Sequence, residues 1–332
     1  MKLAGRIAAV VAVVILCGVT FLTLKKPAQR EPLEGKIEAT KERLARGEYL
    51  VNHVTDCLAC HSQFEFATYG MPHKHGTEGQ GGFPFGPEYG VPGMVQAQNI
   101  TADRETGIGG WTDGEVMRAI REGVTHDGNA LFPMMPYQSY RQLSDDDAMA
   151  IVVYLRTLPA VRHTIAKREL KFPVNFIVKF MPQPLTGPVP AIDDAKDHLA
   201  YGQYLVTIAG CRDCHTNKDA HGAPVPGGNF AGGWEMKYPG GRVITANITP
   251  HGETWMGQAS KDEFIGRFRA WQGVADVPAA KGRNTIMGWQ RFAGMSEKDL
   301  GAIYDYLRTV APKAGVVNPF PDAAPDEAIA KE

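Results

Sequence analysis

The sequence predicts an all-α protein in which two similar helical domains follow an N-terminal transmembrane helix. Three observations predict this class: the chain opens with an apolar run, short strings recur in the same order in two halves, and helix-start signals recur with them. We find no convincing alternation of apolar and polar residues of the kind that marks a half-buried strand. The 37 glycines and 23 prolines cluster between the helical patterns and indicate long loops.

The N-terminal segment, residues 1–30, is predicted to be an uncleaved membrane anchor. Ile7 to Leu24 is a nearly unbroken apolar run, and its length is at the lower edge of what spans a bilayer. The run ends at Lys25-Lys26-Pro27, which is a poor cleavage site for a signal peptide.

The rest of the chain is an internal repeat, and the repeat sets the domain boundaries. The recurring strings are Gly47-Glu48-Tyr49-Leu50-Val51 with Gly202-Gln203-Tyr204-Leu205-Val206, Asn99-Ile100-Thr101 with Asn247-Ile248-Thr249, and Tyr154-Leu155-Arg156-Thr157 with Tyr306-Leu307-Arg308-Thr309. We therefore expect domain 1 over residues 41–161, a proline-rich linker over 162–193, domain 2 over 194–312 and a C-terminal tail over 313–332.

Each domain is predicted to contain three helices. The first runs over Glu42 to Val54 and, in the second domain, over Lys196 to Ile208, with apolar residues near helical spacing. The second and third helices open at matched start signals, which are Thr112-x-x-Glu115 with Ser260-x-x-Glu263, and Ser144-x-x-Asp147 with Ser296-x-x-Asp299. Acidic side chains in a first turn favour the helix dipole, so the acidic run Asp145-Asp146-Asp147 needs no partner protein to explain it.

One C-x-x-C-H string lies in each domain, Cys57-Leu58-Ala59-Cys60-His61 and Cys211-Arg212-Asp213-Cys214-His215. This string is the attachment signature of c-type haem: two thiols one helical turn apart can each bond a vinyl group, and the histidine becomes the proximal iron ligand. The alternatives are half a zinc site, a redox dithiol or a disulfide; zinc would need further ligands at short spacing. We predict two covalently bound haem c groups, attached at Cys57, Cys60, Cys211 and Cys214 and ligated by His61 and His215.

The repeat also selects a candidate for the second axial ligand of each haem iron. Counting back without a gap from the two Tyr-Leu strings pairs Met135 with Met287, both in loops just before the third helix. A thioether at this position closes the iron and raises its potential, whereas an open position invites catalysis. Buried methionine is also common core filler, and the substitute ligands are Met134 for Met135 and Met295 for Met287.

Charge and chemistry set the expected location and partners. The formal net charge is −1, so nothing suggests a nucleic-acid partner. Covalent haem attachment in bacteria takes place outside the cytoplasmic membrane. The predicted location is therefore the bacterial inner membrane, with the soluble domains in the periplasm.

Several strings together resemble a known family: Met135-Pro136-Tyr137, Leu143 to Asp147, Ala150 to Pro159 and Asn247-Ile248-Thr249-Pro250. The chain resembles the membrane-anchored cytochrome c family that includes the cytochrome subunits of periplasmic alcohol and aldehyde dehydrogenases. The resemblance implies two class-I-like cytochrome c domains in tandem and electron relay, with axial ligation by His61, Met135, His215 and Met287. The chain departs from the family in having two haem strings where those subunits commonly have three, and in having Gly288 where Pro often follows the ligand Met.

The predicted function is electron transfer without a substrate of the chain's own. Electrons would pass from a dehydrogenase or quinol-oxidising complex to a soluble cytochrome or terminal oxidase. The alternative is a di-haem peroxidase-like enzyme with one open haem site. A third hypothesis, a fixed subunit of a larger membrane complex, has the same chemistry and uses the anchor and the apolar patch Phe172 to Met181 as contact surfaces.

Overall fold

The computed structural model describes residues 2–219, 222–239, 241–274 and 276–323. The chain begins with a long helix, α1 (Lys2–Leu24). The first half then contains α2 (Lys41–Tyr49), α3 (Cys57–Cys60), α4 (Asp113–Glu122), α5 (Tyr137–Tyr140) and α6 (Asp145–Leu155). The connecting segment contains α7 (Val174–Ile177), and the second half contains α8 (His198–Ile208), α9 (Cys211–Cys214), α10 (Trp255–Gln258), α11 (Lys261–Arg269), α12 (Trp289–Phe292) and α13 (Glu297–Leu307).

The helix starts follow the capping signals of the sequence. Thr112 and Ser260 form complete capping boxes with Glu115 and Glu263 at the starts of α4 and α11. Ser144 and Ser296 accept the N–H of the third residue of α6 and α13. These predictions are confirmed, and they are of a kind that local sequence decides, because a capping side chain satisfies backbone donors only a few residues away.

In each half, the first helix and the last helix (α2 with α6, and α8 with α13) cross closely at a glycine. A Cβ on Gly47 would lie 2.0 Å from the carbonyl oxygen of Ala150, and one on Gly202 would lie 2.2 Å from that of Ala302. The glycine that opens each recurring Gly-x-Tyr-Leu-Val string therefore lets α2 pack on α6 and α8 pack on α13. One apolar cluster runs through both halves, and Leu50 and Leu205 are among its fully buried members.

The loops contain two small antiparallel sheets. Strands β1 (Pro84–Phe85), β2 (Gly93–Gln96) and β3 (Glu169–Leu170) form one sheet in that order, and β4 (Glu235–Tyr238) pairs with β5 (Gly241–Ile244) in the other. The first sheet lies with a second apolar cluster, which contains Phe83, Phe85, Val91 and Val95.

The predicted fold class is corrected in two respects. The chain is not all-α, because the glycine- and proline-rich segments predicted as loops pair into strands of two to four residues, which are too short to give a periodic sequence signal. Two class-I-like cytochrome c domains after a transmembrane helix are therefore not an adequate description of the fold.

The second correction concerns the membrane. Residues 2–24 do form a helix, but within the described ranges no helix combines the length and the apolar character needed to cross a bilayer. The predicted anchor over residues 1–30 and the predicted location at the bacterial inner membrane are therefore wrong.

Candidate functional site

The two C-x-x-C-H strings adopt the same local structure. In each, the two cysteines bound a single helical turn, Cys57–Cys60 in α3 and Cys211–Cys214 in α9. A residue with a left-handed backbone precedes each turn: Asp56 with φ 48° and Gly210 with φ 69°. Because the spacing of three residues is one helical turn, both thiols of a string lie on one side of the turn.

The four thiols are not joined in disulfides, and the pKa of each is raised above its ordinary value. Burial raises the pKa of Cys57 and Cys214 to about 11, and it raises the pKa of Cys60 and Cys211 to about 12. The Asp56 carboxylate adds to the effect of burial on the pKa of Cys60, and the positive charge of Arg291 opposes it.

Each string histidine uses one ring nitrogen to bind a backbone carbonyl. His61 Nδ1 lies 2.6 Å from the carbonyl oxygen of Gln98, and His215 Nδ1 lies 2.7 Å from that of Ala246. Since a carbonyl only accepts, Nδ1 carries the proton and Nε2 keeps its lone pair. Burial lowers the pKa of both imidazoles, so the neutral form that ligates metals is favoured.

The recurring Asn-Ile-Thr string fixes the segment that supplies these carbonyls. Asn99 Oδ1 accepts the N–H of Thr101 at 2.9 Å, and its Nδ2 donates to the carbonyl of Val161 at 2.8 Å. In the second half, Asn247 Oδ1 accepts the N–H of Thr249 at 3.0 Å in the same way. Asn99 and Asn247 directly follow the residues whose carbonyls bind the histidines. The side chain of Asn99 therefore fixes that segment in a turn and ties it to the C-terminal end of its own half.

A matched glycine lies beside each of these carbonyls. Gly81 and Gly232 donate their N–H groups to the carbonyls of His61 and His215, each at 2.9 Å. Both have positive φ, and a Cβ on either would lie within 2.5 Å of the acceptor segment. Only glycine can therefore connect the histidine to its acceptor loop this closely.

The matched methionines lie in loops of the same shape. The backbone N–H of Tyr137 donates to the carbonyl of Met135 at 2.8 Å, and that of Trp289 donates to the carbonyl of Met287 at 2.8 Å. Gly288 has φ −75°, close to the −80° of Pro136 at the matched position. The departure from proline at residue 288 therefore leaves the loop conformation unchanged.

The two alternative methionines lie elsewhere. Met295 is 1% exposed inside the main apolar cluster, and Met134 packs against the second cluster. Met135 and Met287 are instead half-buried at the margin of the main cluster, where Cys57 and Cys211 also lie. Met135 and Met287 therefore share one kind of environment, as the repeat predicts, and their role as iron ligands stays a prediction.

The two halves contact each other through a reciprocal pair of tyrosines. The hydroxyl of Tyr49 in α2 donates to Asp299 at the start of α13 at 2.6 Å, and that of Tyr204 in α8 donates to Asp147 at the start of α6 at 2.6 Å. Each hydroxyl also accepts a backbone N–H from the capping serine beside that carboxylate, Ser296 or Ser144. Tyr49 thus contacts the start of α13, and Tyr204 contacts the start of α6, in each case in the other half.

The methionine loops also reach across to the opposite cysteine string. Arg291, which follows Met287, forms an ion pair with Asp56 just before Cys57. Ser139, which follows Met135, donates to Asp213 inside the second string at 3.0 Å. Sequence reasoning missed these contacts, because a repeat shows which residues correspond but not which surfaces meet.

His53 illustrates the same limit. The sequence places it one helical turn before the first cysteine string, where it could touch a haem edge. In the structure His53 Nδ1 instead lies 2.9 Å from the carbonyl oxygen of Arg291. This contact joins the two halves, and no sequence signal indicates it.

Comparison with known proteins shows that the chain is similar to cytochrome c subunits of dehydrogenases. It is 30% identical over 294 residues to the cytochrome c subunit of a quinone-dependent alcohol dehydrogenase from Gluconobacter oxydans, covering 82% of this chain and 56% of that subunit. This chain is a relative of dehydrogenase cytochrome c subunits. The gluconate 2-dehydrogenase cytochrome c subunit of Pantoea cypripedii is 28% identical, covering 83% of this chain and 61% of that subunit.

A shorter relative matches more of its own length. The dihaem c-type cytochrome of Cereibacter sphaeroides is 29% identical over 251 residues, 74% of this chain and 79% of that protein. The predicted resemblance to cytochrome c subunits is thus confirmed, while the chain spans little more than half of the dehydrogenase subunits it matches. No protein-family model matches the chain.

Proposed function

We propose that this chain is a two-haem c-type cytochrome that relays electrons and transforms no substrate of its own. In this proposal haem is attached covalently at Cys57 and Cys60 in the first half and at Cys211 and Cys214 in the second. The observation that carries the proposal is the duplicated pairing of a C-x-x-C-H turn with a carbonyl-bound histidine, His61 to Gln98 and His215 to Ala246.

The residues present fit a haem on several counts. The thiols of each string lie one helical turn apart, have raised pKa values and are free of disulfides. Each histidine presents its Nε2 lone pair, because Nδ1 is committed to a carbonyl, which is the arrangement that orients an axial ligand. We assign the second axial position to Met135 and Met287, with His61 and His215 as the proximal ligands.

Bound haem would supply a one-electron Fe(III)/Fe(II) couple at each site. The residues of this chain hold the two couples in place: the Asn-Ile-Thr turns fix the carbonyls that orient His61 and His215, and the methionine loops are tied to the opposite string through Arg291 and Ser139. A relay needs little rearrangement of its groups, and these contacts restrict movement between the halves.

The partners in this proposal come from the relatives. Those relatives are named as subunits of alcohol, gluconate and fructose dehydrogenases, so we propose a dehydrogenase or a quinol-oxidising complex as donor. A soluble cytochrome or a terminal oxidase would be the acceptor.

The decisive experiment counts haems and identifies the ligands. In the purified protein, alkaline pyridine spectra should give two haems per chain, and Cys57→Ser with Cys60→Ser should give one. The oxidised protein should show a Met–iron charge-transfer band, which Met135→Leu or Met287→Leu should reduce by about half. A high-spin spectrum with peroxide turnover in the unaltered protein would instead support the peroxidase-like alternative.

A further inference from the structure

A cluster of metal-ligating side chains lies in the first half, outside the proposed haem sites. His73 Nε2 lies 3.8 Å from Glu78 Oε1, and His75 Nδ1 lies 3.7 Å from the same oxygen. Ligand atoms of the three residues all lie within 4.8 Å of one another. Nitrogen and oxygen ligands about 2.0–2.1 Å from a tetrahedral zinc ion are themselves roughly 3.4 Å apart, so small side-chain rotations would bring these atoms into coordination.

The loop that carries the cluster is held by its backbone. His73 pairs with Phe64 in an antiparallel bridge, and the N–H of Lys74 donates to the carbonyl of Gln63 at 2.6 Å. The hydroxyl of Thr77 bonds both the carbonyl of Lys74 and the N–H of Gln63. The two histidines are therefore presented from a braced turn, which reduces the entropy lost when a ligand orders them.

Glu78 is oriented as well. Its Oε1 accepts the N–H of Gly76 at 3.1 Å, which directs the carboxylate back toward the two imidazoles. His73 is the most enclosed of the three, with 21% of its side chain exposed, against 33% for Glu78 and 88% for His75. The cluster is thus enclosed on the side of His73 and open to solvent on the side of His75, where an ion can enter.

We propose that His73, His75 and Glu78 form a binding site for one divalent transition-metal cation of the zinc type. Two imidazoles and one carboxylate are a ligand set that such cations accept, with the remaining positions left to solvent or to a further ligand. Hard cations such as Mg²⁺ and Ca²⁺ prefer all-oxygen sites, so they are not the expected occupants.

The electrostatics suit a neutral imidazole ligand at His73. Burial, helped by the positive charge of Arg291, lowers the pKa of His73. Burial raises the pKa of the Glu78 carboxyl, but backbone N–H donors at Glu78 and Gly76 outweigh it, so that the pKa is lowered overall. A cation would therefore meet one anionic ligand without having to displace a proton from His73 at neutral pH.

Among the residues that the structure describes, such a cluster occurs only in the loop after the first C-x-x-C-H string. The loop joins the first C-x-x-C-H string through Gln63 and through Ser62, whose hydroxyl accepts the N–H of Gly79 at 3.1 Å. A bound cation would thus link residues 73–78 into one rigid unit directly after the first proposed haem-attachment site. This inference does not depend on the electron-transfer assignment.

Calorimetric titration of the untagged, haem-loaded protein with zinc chloride, after removal of metals with a chelator, tests the site. We expect one equivalent to bind, and His75→Ala and Glu78→Gln each to weaken that binding at least tenfold. Loss of even an outer-shell partner costs about 10- to 100-fold in metal affinity. Neither variant should disturb folding, because His75 is exposed and the glutamine oxygen can still accept the Gly76 N–H.

A matched control comes from the second half. His251 Nδ1 lies 3.7 Å from Glu253, which reproduces one His–carboxylate contact without the second imidazole. His251→Ala should leave the zinc affinity unchanged. X-ray absorption at the zinc edge should show imidazole and carboxylate ligands in the unaltered protein. The proposal is wrong if no equivalent binds, or if the one that binds is unaffected by both His75→Ala and Glu78→Gln.

Discussion

The two reciprocal tyrosine contacts are expected to contribute unequally to the free energy of unfolding. Tyr49→Phe removes the hydroxyl that donates to Asp299, and Tyr204→Phe removes the one that donates to Asp147. The ring is retained in both variants, so the change is limited to one hydroxyl group at each position. The two changes look equivalent in the repeat, but the carboxylates they affect have different remaining partners.

Asp147 keeps strong partners when Tyr204 loses its hydroxyl. Arg46 donates to both of its oxygens at 2.8 Å, and such forked contacts are among the strongest hydrogen bonds in proteins. Asp299, once Tyr49 loses its hydroxyl, keeps the Tyr201 hydroxyl at 2.9 Å. Asp299 is only 4% exposed, so water cannot readily replace the lost donor.

The magnitudes follow from the energy of a hydrogen bond to a charged group, which is about 1.5–3 kcal/mol. We expect Tyr204→Phe to cost about 1.5 kcal/mol of unfolding free energy, at the lower end, and Tyr49→Phe to cost about 3 kcal/mol, at the upper end. The assay is denaturant unfolding of the holoprotein followed by far-ultraviolet circular dichroism. In the double variant the transition should broaden or split as the halves separate.

The control is a tyrosine whose hydroxyl bond stays within one half. Tyr304 donates to the carbonyl of Ala259 at 2.8 Å, and Tyr304→Phe should cost about 0.5–1.5 kcal/mol without splitting the transition. Equal losses for Tyr49→Phe and Tyr204→Phe, or a larger loss for Tyr204→Phe, would refute the argument that the remaining partners decide the cost.

Two further predictions concern the second half. Gly202→Ala should destabilise the protein by about 1–3 kcal/mol, since its Cβ would lie 2.2 Å from the Ala302 carbonyl oxygen where α8 crosses α13; an unchanged melting temperature would contradict the close crossing. His198 bridges Asp194 and Asp305 at 2.6 and 2.7 Å, and hydrogen bonds to Asp305 and Asp194 raise its pKa above 6.5. Its stabilisation is therefore complete below pH 6.5 and is lost as the pH rises through the raised pKa. His198→Gln should remove this contribution to the pH dependence of stability. The check is the free energy of unfolding, measured at one pH below and one pH above the raised pKa of His198.

Local signals predicted the helix starts, and the repeat predicted which residues correspond. Each recurring string has the same structural role in both halves, because the local contacts around it are the same. This holds for Asn-Ile-Thr, Gly-x-Tyr-Leu-Val and C-x-x-C-H. The strands were missed, since segments of two to four residues are too short to show a period. The membrane anchor was predicted from an apolar run at the lower length limit, and a borderline length is a weak basis for such a prediction.

The acidic residues at the starts of the third helices show why surfaces could not be predicted. The sequence explains Asp147 and Asp299 fully as first-turn residues that favour the helix dipole, and that explanation remains correct. The same two carboxylates nevertheless receive the tyrosine hydroxyls that join the halves. When a local role such as a helix start already explains a residue, the sequence does not indicate that the same residue also makes a long-range contact. The tyrosine substitutions distinguish the two roles, because they leave the caps intact and remove only the contact between the halves.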